Sequence, residues 1–226
     1  MLNQYVEIIR LMPIEKHGFK TSRIIWKESE KNYSWLSDYN DKIFQGNKYR
    51  TITRRELLDF FSENKGTDIR LFILLVIYWG YPSGMRNKYF DEILENIKTL
   101  EKIIEEIRET PNIENFLKYY TDRIKGFGGL GLSTFSKFLY FLKSKIEGEK
   151  AVILDLRIID VLRNSIFKDK IFEKLRYENA PKNYPFYLKN MREKASQLNN
   201  ISIATEKITS EKIEMFLFIF GNILQD

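Results

Sequence analysis

Four glycines fall within six residues, Gly126, Gly128, Gly129 and Gly131, between two stretches with the apolar spacing of helices. Glycine removes the side-chain barrier to positive φ and lets another backbone come close. The preceding stretch, Phe116-Leu117-Lys118-Tyr119-Tyr120-Thr121-Asp122-Arg123, reads as helix, and so does the following one, from about Thr134 to Lys143. The chain must therefore turn back sharply between two helices. Such a turn exposes backbone N–H groups at the start of the second helix, where aligned peptide dipoles favour a phosphate. Ser133 and Thr134 either add hydroxyl contacts or cap that helix, and Lys125 is placed to meet a neighbouring phosphate. A purely structural helix–helix turn is the alternative. A dinucleotide-binding turn is excluded because no hydrophobic strand precedes the glycines. No glycine-rich loop ending in Gly-Lys-Ser/Thr occurs, which argues against a nucleoside triphosphate site.

Charge follows the same division. Residues 91–110 carry seven acidic and three basic side chains, whereas residues 121–150 carry six basic and three acidic. The overall charge of +6 permits a phosphate-bearing partner without requiring one. The acidic stretch is read as a solvated helix face.

Inside the second helix Lys137 is surrounded by Phe135, Phe138, Leu139, Tyr140 and Phe141. Burying an ammonium uncompensated is costly, so the side chain either snorkels to solvent or sits in a cleft. There its neutral, nucleophilic form becomes accessible. Lys143 is a weaker rival nearer an exposed loop. Asp155 ends the apolar run Ala151-Val152-Ile153-Leu154, 18 residues after Lys137. It can cap a helix carrying Ile158, Ile159 and Leu162 and also stabilise positive charge on a sugar. Arg157 is placed to pair with it or reach phosphate.

The remaining periodicity predicts a mainly helical chain. Thr53 caps a helix with Leu57, Leu58 and Phe61 on one face. Gly66 separates it from a helix capped by Asp68 and running through Tyr78, apolar nearly all round and therefore central. Pro82 and Gly84 break the pattern. Phe90 to Ile107 reads as one amphipathic helix ended by Pro111, with Asn112 capping the next. A polar joint from Asn179 to Pro185 leads to a helix near Phe186 to Leu198, and Ser210 caps a last helix through Ile223. Residues 1–50 are harder to assign. Ile24-Ile25-Trp26 and Tyr33-Ser34-Trp35 fit strands or short helices in a cap or partner-binding extension, with residues 51–226 forming the helical domain.

Cysteine is absent, which excludes disulfides, thiolate metal sites and cysteine nucleophiles. His17 is the only histidine, cannot form a histidine metal cluster, and is read as incidental. Asp91 and Glu92 lack matched ligand spacing, so no metal site is expected. The longest apolar run, Leu71 to Trp79, is far short of the roughly 20 residues a membrane helix needs. With no secretory signal at the start, a soluble cytoplasmic protein with no membrane partner is expected.

Three segments together resemble the helix-hairpin-helix DNA glycosylase superfamily, specifically a bacterial group with the 8-oxoguanine glycosylase fold. They are Arg123-Ile124-Lys125-Gly126-Phe127-Gly128-Gly129-Leu130-Gly131, Thr134-Phe135-Ser136-Lys137-Phe138-Leu139-Tyr140-Phe141 and Leu154-Asp155-Leu156-Arg157. Upstream, Tyr78-Trp79-Gly80-Tyr81-Pro82-Ser83-Gly84 also looks like this group. The resemblance covers residues 50 to 224 and is clearest over 78 to 163. It implies a bilobal helical fold, the hairpin at about 116–143, a DNA substrate and excision of a damaged base, with 8-oxoguanine the leading candidate. By position, Lys137 would attack the sugar C1′ carbon, giving a Schiff base that permits strand cleavage, and Asp155 would be the partner carboxylate. The hairpin from Gly126 to Gly131 would bind phosphate, with a monovalent cation held by carbonyls and no other cofactor required. In the familiar family pattern the lysine follows the second hairpin glycine by two residues. Here that slot is Ser133, and Lys137 lies one helical turn farther. No four-cysteine cluster is present, so the iron–sulfur branch does not fit. A flipped base needs apolar or aromatic walls, for which Trp79, Tyr81, Phe138 and Tyr140 are candidates. A non-catalytic DNA-binding module recruiting a protein partner through residues 1–50 is the alternative, and a helical protein-interaction domain a third. Repair and defence against foreign DNA both stay open, as does the oligomeric state.

Overall fold

In the computed structural model, which describes residues 2–62, 67–201 and 205–224, the chain is mainly α-helical with two small sheets. Gly66 lies outside the described residues. In chain order the elements are α1 (Val6–Arg10), β1 (Gly18–Ser22), α2 (Arg23–Trp26), α3 (Trp35–Phe44), β2 (Tyr49–Thr53), α4 (Arg54–Leu58) and α5 (Ile69–Gly80). Then come α6 (Tyr89–Glu95), α7 (Ile97–Glu109), β3 (Asn112–Ile113), α8 (Phe116–Arg123), α9 (Leu132–Phe141), β4 (Lys145–Ile146) and β5 (Glu149–Lys150). The chain closes with α10 (Leu156–Asn164), α11 (Ala180–Asn199) and α12 (Ser210–Phe220).

The central element is α5, whose residues from Phe72 to Trp79 are all buried. An all-round apolar helix has no face for water, so it fills the middle of a core. Asp68 caps it by accepting from the Leu71 amide at 3.0 Å. Thr53 likewise caps α4, accepting from Glu56 N at 3.2 Å. β1 and β2 pair antiparallel, Gly18 opposite Thr53 and Ser22 opposite Tyr49. Residue 50 lies inside β2. Ile24-Ile25-Trp26 forms a short helix, and the buried Trp26 ring stacks on Tyr78 of α5 at 4.0 Å. Tyr78 in turn donates to Asn40 Oδ1 of α3 at 2.6 Å.

Several expected boundaries move. The helix from Phe90 to Ile107 is two helices, because Asn96 leaves helical geometry (φ −103°, ψ 17°) and its side chain donates to the Glu92 carbonyl. Asn112 is not a cap. It enters β3, which pairs parallel with β4 and buries Ile113, and Asn115 caps α8 by accepting from Lys118 N at 3.1 Å. Residues 180–185 of the expected joint are helical and belong to α11, with Asn179 at its N-cap position. Pro181 sits in the first turn, where its missing N–H costs nothing, and Pro185 forfeits a single bond near the helix start. Thr209 rather than Ser210 caps α12. No helix among the described residues is long and apolar enough to cross a membrane.

Candidate functional site

The segment 151–154 between β5 and α10 has no regular secondary structure and is buried, so its peptide groups need partners other than water. Tyr184 and Tyr187 of α11 donate to the Val152 and Ile153 carbonyls at 2.8 and 3.0 Å. Ser136 of α9 accepts from the Leu154 amide at 3.2 Å. Ser136 precedes Lys137 and Leu154 precedes Asp155, so one buried hydroxyl fixes the two segments against each other. Asp155 then caps α10, accepting from Ile158 N at 3.1 Å, which holds its carboxylate rigidly.

Lys137 is 4% exposed and does not snorkel. Its Nζ donates to the Ser133 carbonyl at 2.8 Å and lies 5.3 Å from the centre of the Tyr81 ring. Gly80, the last residue of α5, makes room for it. A Cβ there would stand 2.8 Å from Lys137 Cδ. Lys143 is exposed, in the turn that ends α9 with φ at 56°, and lines neither concavity described next.

Lys137 and Asp155 line two adjoining spaces. One is a recess of about 160 Å³ walled by His17, Phe19, Trp79 and Phe218, with Arg54 and Glu214 also on its lining. The other is an open groove of about 790 Å³ along the hairpin, lined by Lys125, Gly126, Gly129, Gly131, Ser133 and Arg157 among others. The recess suits a small ring system rather than a larger ligand, whose pockets usually run to several hundred Å³. Another depression, of about 570 Å³ beside α7 and α8, carries Glu106, Glu109, Glu114 and Asp122, a poor seat for phosphate.

The recess has charged groups with perturbed protonation. Arg54 and Glu214 are each 1% exposed and paired at 2.9 Å. Burial pushes the Glu214 carboxyl up to about 7, against the pull of Arg54. Burial and then the Arg54 charge bring His17 down to about 4, so it is neutral near pH 7. The guanidinium also lies over the rings of Trp79 and Tyr140, at 5.3 and 5.2 Å.

In the hairpin, Gly126 (φ 93°) and Gly129 (φ 73°) take the left-handed backbone that glycine favours. Gly128 packs on the Glu92 side chain, and a Cβ on Gly129 would collide with the Tyr89 carbonyl of α6. Gly131 stands at the N-cap of α9, which begins at Leu132 rather than Thr134. Among the described residues no backbone carbonyl accepts from the amides of Gly126, Gly128, Gly129, Gly131 or Ser133. Gly126, Gly129, Gly131 and Ser133, with the exposed Lys125, lie on the groove lining, where such N–H groups suit an anion, whereas Gly128 is off it beside the Glu92 carboxylate.

The other candidates divide. Trp79 walls the recess. Tyr81 lines the groove, its hydroxyl 2.6 Å from Thr134 Oγ1, so Thr134 is 3% exposed and committed within the protein. Ser133 lines the groove and holds Lys137. Arg157 lies over Phe218 at 4.8 Å, at the junction of groove and recess. Phe138 does not reach the recess. It is fully buried, against Phe72. Tyr140 is also set back in the core, behind Arg54. His17, Phe19, Arg54, Glu214 and Phe218 were not expected. A lone histidine and a basic residue after a cap carry no local signal of a shared recess.

A helix–glycine turn–helix unit thus stands beside an amine and a carboxylate that share a ring-sized recess. A family model described as "Putative 8-oxoguanine DNA glycosylase OGG-like protein" matches residues 12–218. The chain belongs to this family. No curated protein and no solved structure matches it.

Proposed function

We propose that this protein is a DNA glycosylase that removes a damaged or modified base, with 8-oxoguanine the leading substrate, using Lys137 as nucleophile. The observation that carries it is the double position of Lys137 and Asp155, which line both the aromatic recess and the hairpin groove. DNA lies along the groove, its phosphates on the free hairpin amides and Lys125. The target nucleotide turns out of the stack and its base enters the recess, with Trp79 as one wall. Lys137 gives up a proton to solvent in the open groove, and its lone pair attacks C1′. The C1′–N bond breaks as the N–C1′ bond to lysine forms, and the base leaves with the bonding electrons and takes up a proton. Asp155 offsets positive charge developing on the sugar. Opening of the sugar ring gives the Schiff base from which strand cleavage can follow.

A monovalent cation at the hairpin would be held by carbonyls such as those of Ile124 and Phe127. Each already accepts one turn hydrogen bond and keeps a second lone pair. When bound, such an ion adds positive charge beside a DNA phosphate.

Borohydride added during reaction with 8-oxoguanine duplex should trap a covalent protein–DNA adduct. Lys137→Ala should abolish it. Asp155→Asn, which keeps a good cap, should slow it by roughly a hundredfold or more. An undiminished adduct with Lys137→Ala would remove Lys137 from the proposed role.

A further inference from the structure

Three polar atoms around the recess have no partner among the described residues: His17 Nδ1, Arg54 Nε and Trp79 Nε1. They come from the turn before β1, the first residue of α4 and the penultimate residue of α5, so sequence proximity does not explain their meeting. Arg54 and Trp79 are 1% and 3% exposed. A buried donor left unpaired costs about 1–3 kcal/mol, and folded proteins seldom leave one.

The donors are fixed. Arg54 spends Nη2 on both Glu214 oxygens, at 2.9 and 3.2 Å, and points Nη1 toward the Tyr140 hydroxyl at 3.5 Å. Only Nε remains. The Trp79 indole is held edge to face by Phe19 at 5.3 Å and Phe141 at 5.0 Å. His17 is held in the same manner by Phe19 at 4.8 Å and Trp79 at 5.9 Å. Residues on the recess lining therefore carry two N–H donors and one neutral imidazole nitrogen that the protein itself leaves unpaired. A flat heteroaromatic ring with acceptors and an N–H on its edge can satisfy all of them, whereas an apolar occupant would leave them unpaired.

We propose that His17, Arg54 and Trp79 determine base specificity: Arg54 Nε and Trp79 Nε1 donate to carbonyl or ring-nitrogen acceptors of the extruded base, and His17 Nδ1 completes the set. The assignment rests on the glycosylase reading above and adds the residues that tell one base from another. A site built to hydrogen-bond its substrate rejects analogues that leave its buried polar groups unpaired.

Trp79→Phe keeps a ring and deletes the N–H, and His17→Phe keeps a ring and deletes both nitrogens. Arg54 is left intact because its loss would strand Glu214. Single-turnover excision is measured on duplexes carrying 8-oxoguanine, hypoxanthine or uracil. Each rate is divided by the rate of borohydride trapping on an abasic duplex, which has the sugar but no base. Trp79→Phe should lower this ratio about tenfold for the best substrate, the equivalent of one hydrogen bond, and both variants should narrow the spread among bases. Unchanged ratios and spread would overturn the proposal. Excision and abasic trapping falling together would also overturn it, by assigning these residues a structural role. Wild-type protein that fails to trap abasic DNA would instead overturn the glycosylase reading, and this assignment with it.

Discussion

Arg54 and Glu214 meet across 160 positions of sequence, both shielded from water. An ion pair in such a place is weak evidence of net stability, because desolvation offsets much of its attraction. Breaking it is another matter, since one charge is left without a partner. Glu214 responds to burial with an elevated pKa of about 7, so the arginine is what keeps a carboxylate tolerable there near neutral pH. Arg54→Met should cost about 3–5 kcal/mol in urea unfolding. Arg54→Met combined with Glu214→Gln should recover a substantial part of that loss. A single-variant loss under about 1 kcal/mol would mean the carboxyl is already neutral or solvated, at odds with the geometry. The pair was not legible in the sequence. Arg54 follows a cap and Glu214 lies within a helix, and neither position carries a local signal of the other. Only the approach of α4 and α12 to one recess puts them in contact.

Among the elements, those announced by a side-chain oxygen ahead of an apolar run were readable. Thr53, Asp68 and Asp155 all cap the helices they precede, because a cap needs only local geometry. Prolines misled, since Pro181 and Pro185 fall where a helix start tolerates them. Asn96 misled in the other direction, because apolar spacing continues through a break in the backbone. In the hairpin the glycines divide by what surrounds them. Gly126 has positive φ and open space around it, whereas Gly129 has positive φ and the Tyr89 carbonyl against it. Gly126→Ala should therefore cost only the left-handed backbone, about 1–2 kcal/mol. Gly129→Ala should cost clearly more and weaken DNA binding as the turn is pushed off α6. Equal losses, read from chemical denaturation and DNA titration of both variants, would show that the contact with α6 does not set the turn.

For the whole molecule, the legible part of the site was contiguous and the illegible part was scattered. Residues 126–137 carry a turn and an amine within one supersecondary unit, and Asp155 follows soon after, so their order in the chain already suggested their chemistry. The walls come from His17 and Phe19 near one end and Glu214 and Phe218 near the other, and no short-range pattern links them. α5 brings these parts together. It buries eight residues, contributes Trp79 to the recess, and ends on Gly80, against which the Lys137 stem lies. The fold thereby sets one amine at the meeting of the hairpin groove and a ring-sized recess. Lys125 and Lys143 are exposed alternatives that a reactive sugar aldehyde could also find. The most direct measurement is mass spectrometry of the peptides from a borohydride-reduced complex with abasic DNA. The sugar remnant should map to Lys137 in the wild type. A remnant on Lys125, on Lys143 or on the chain's α-amine, with Lys137 unmodified, would contradict the account.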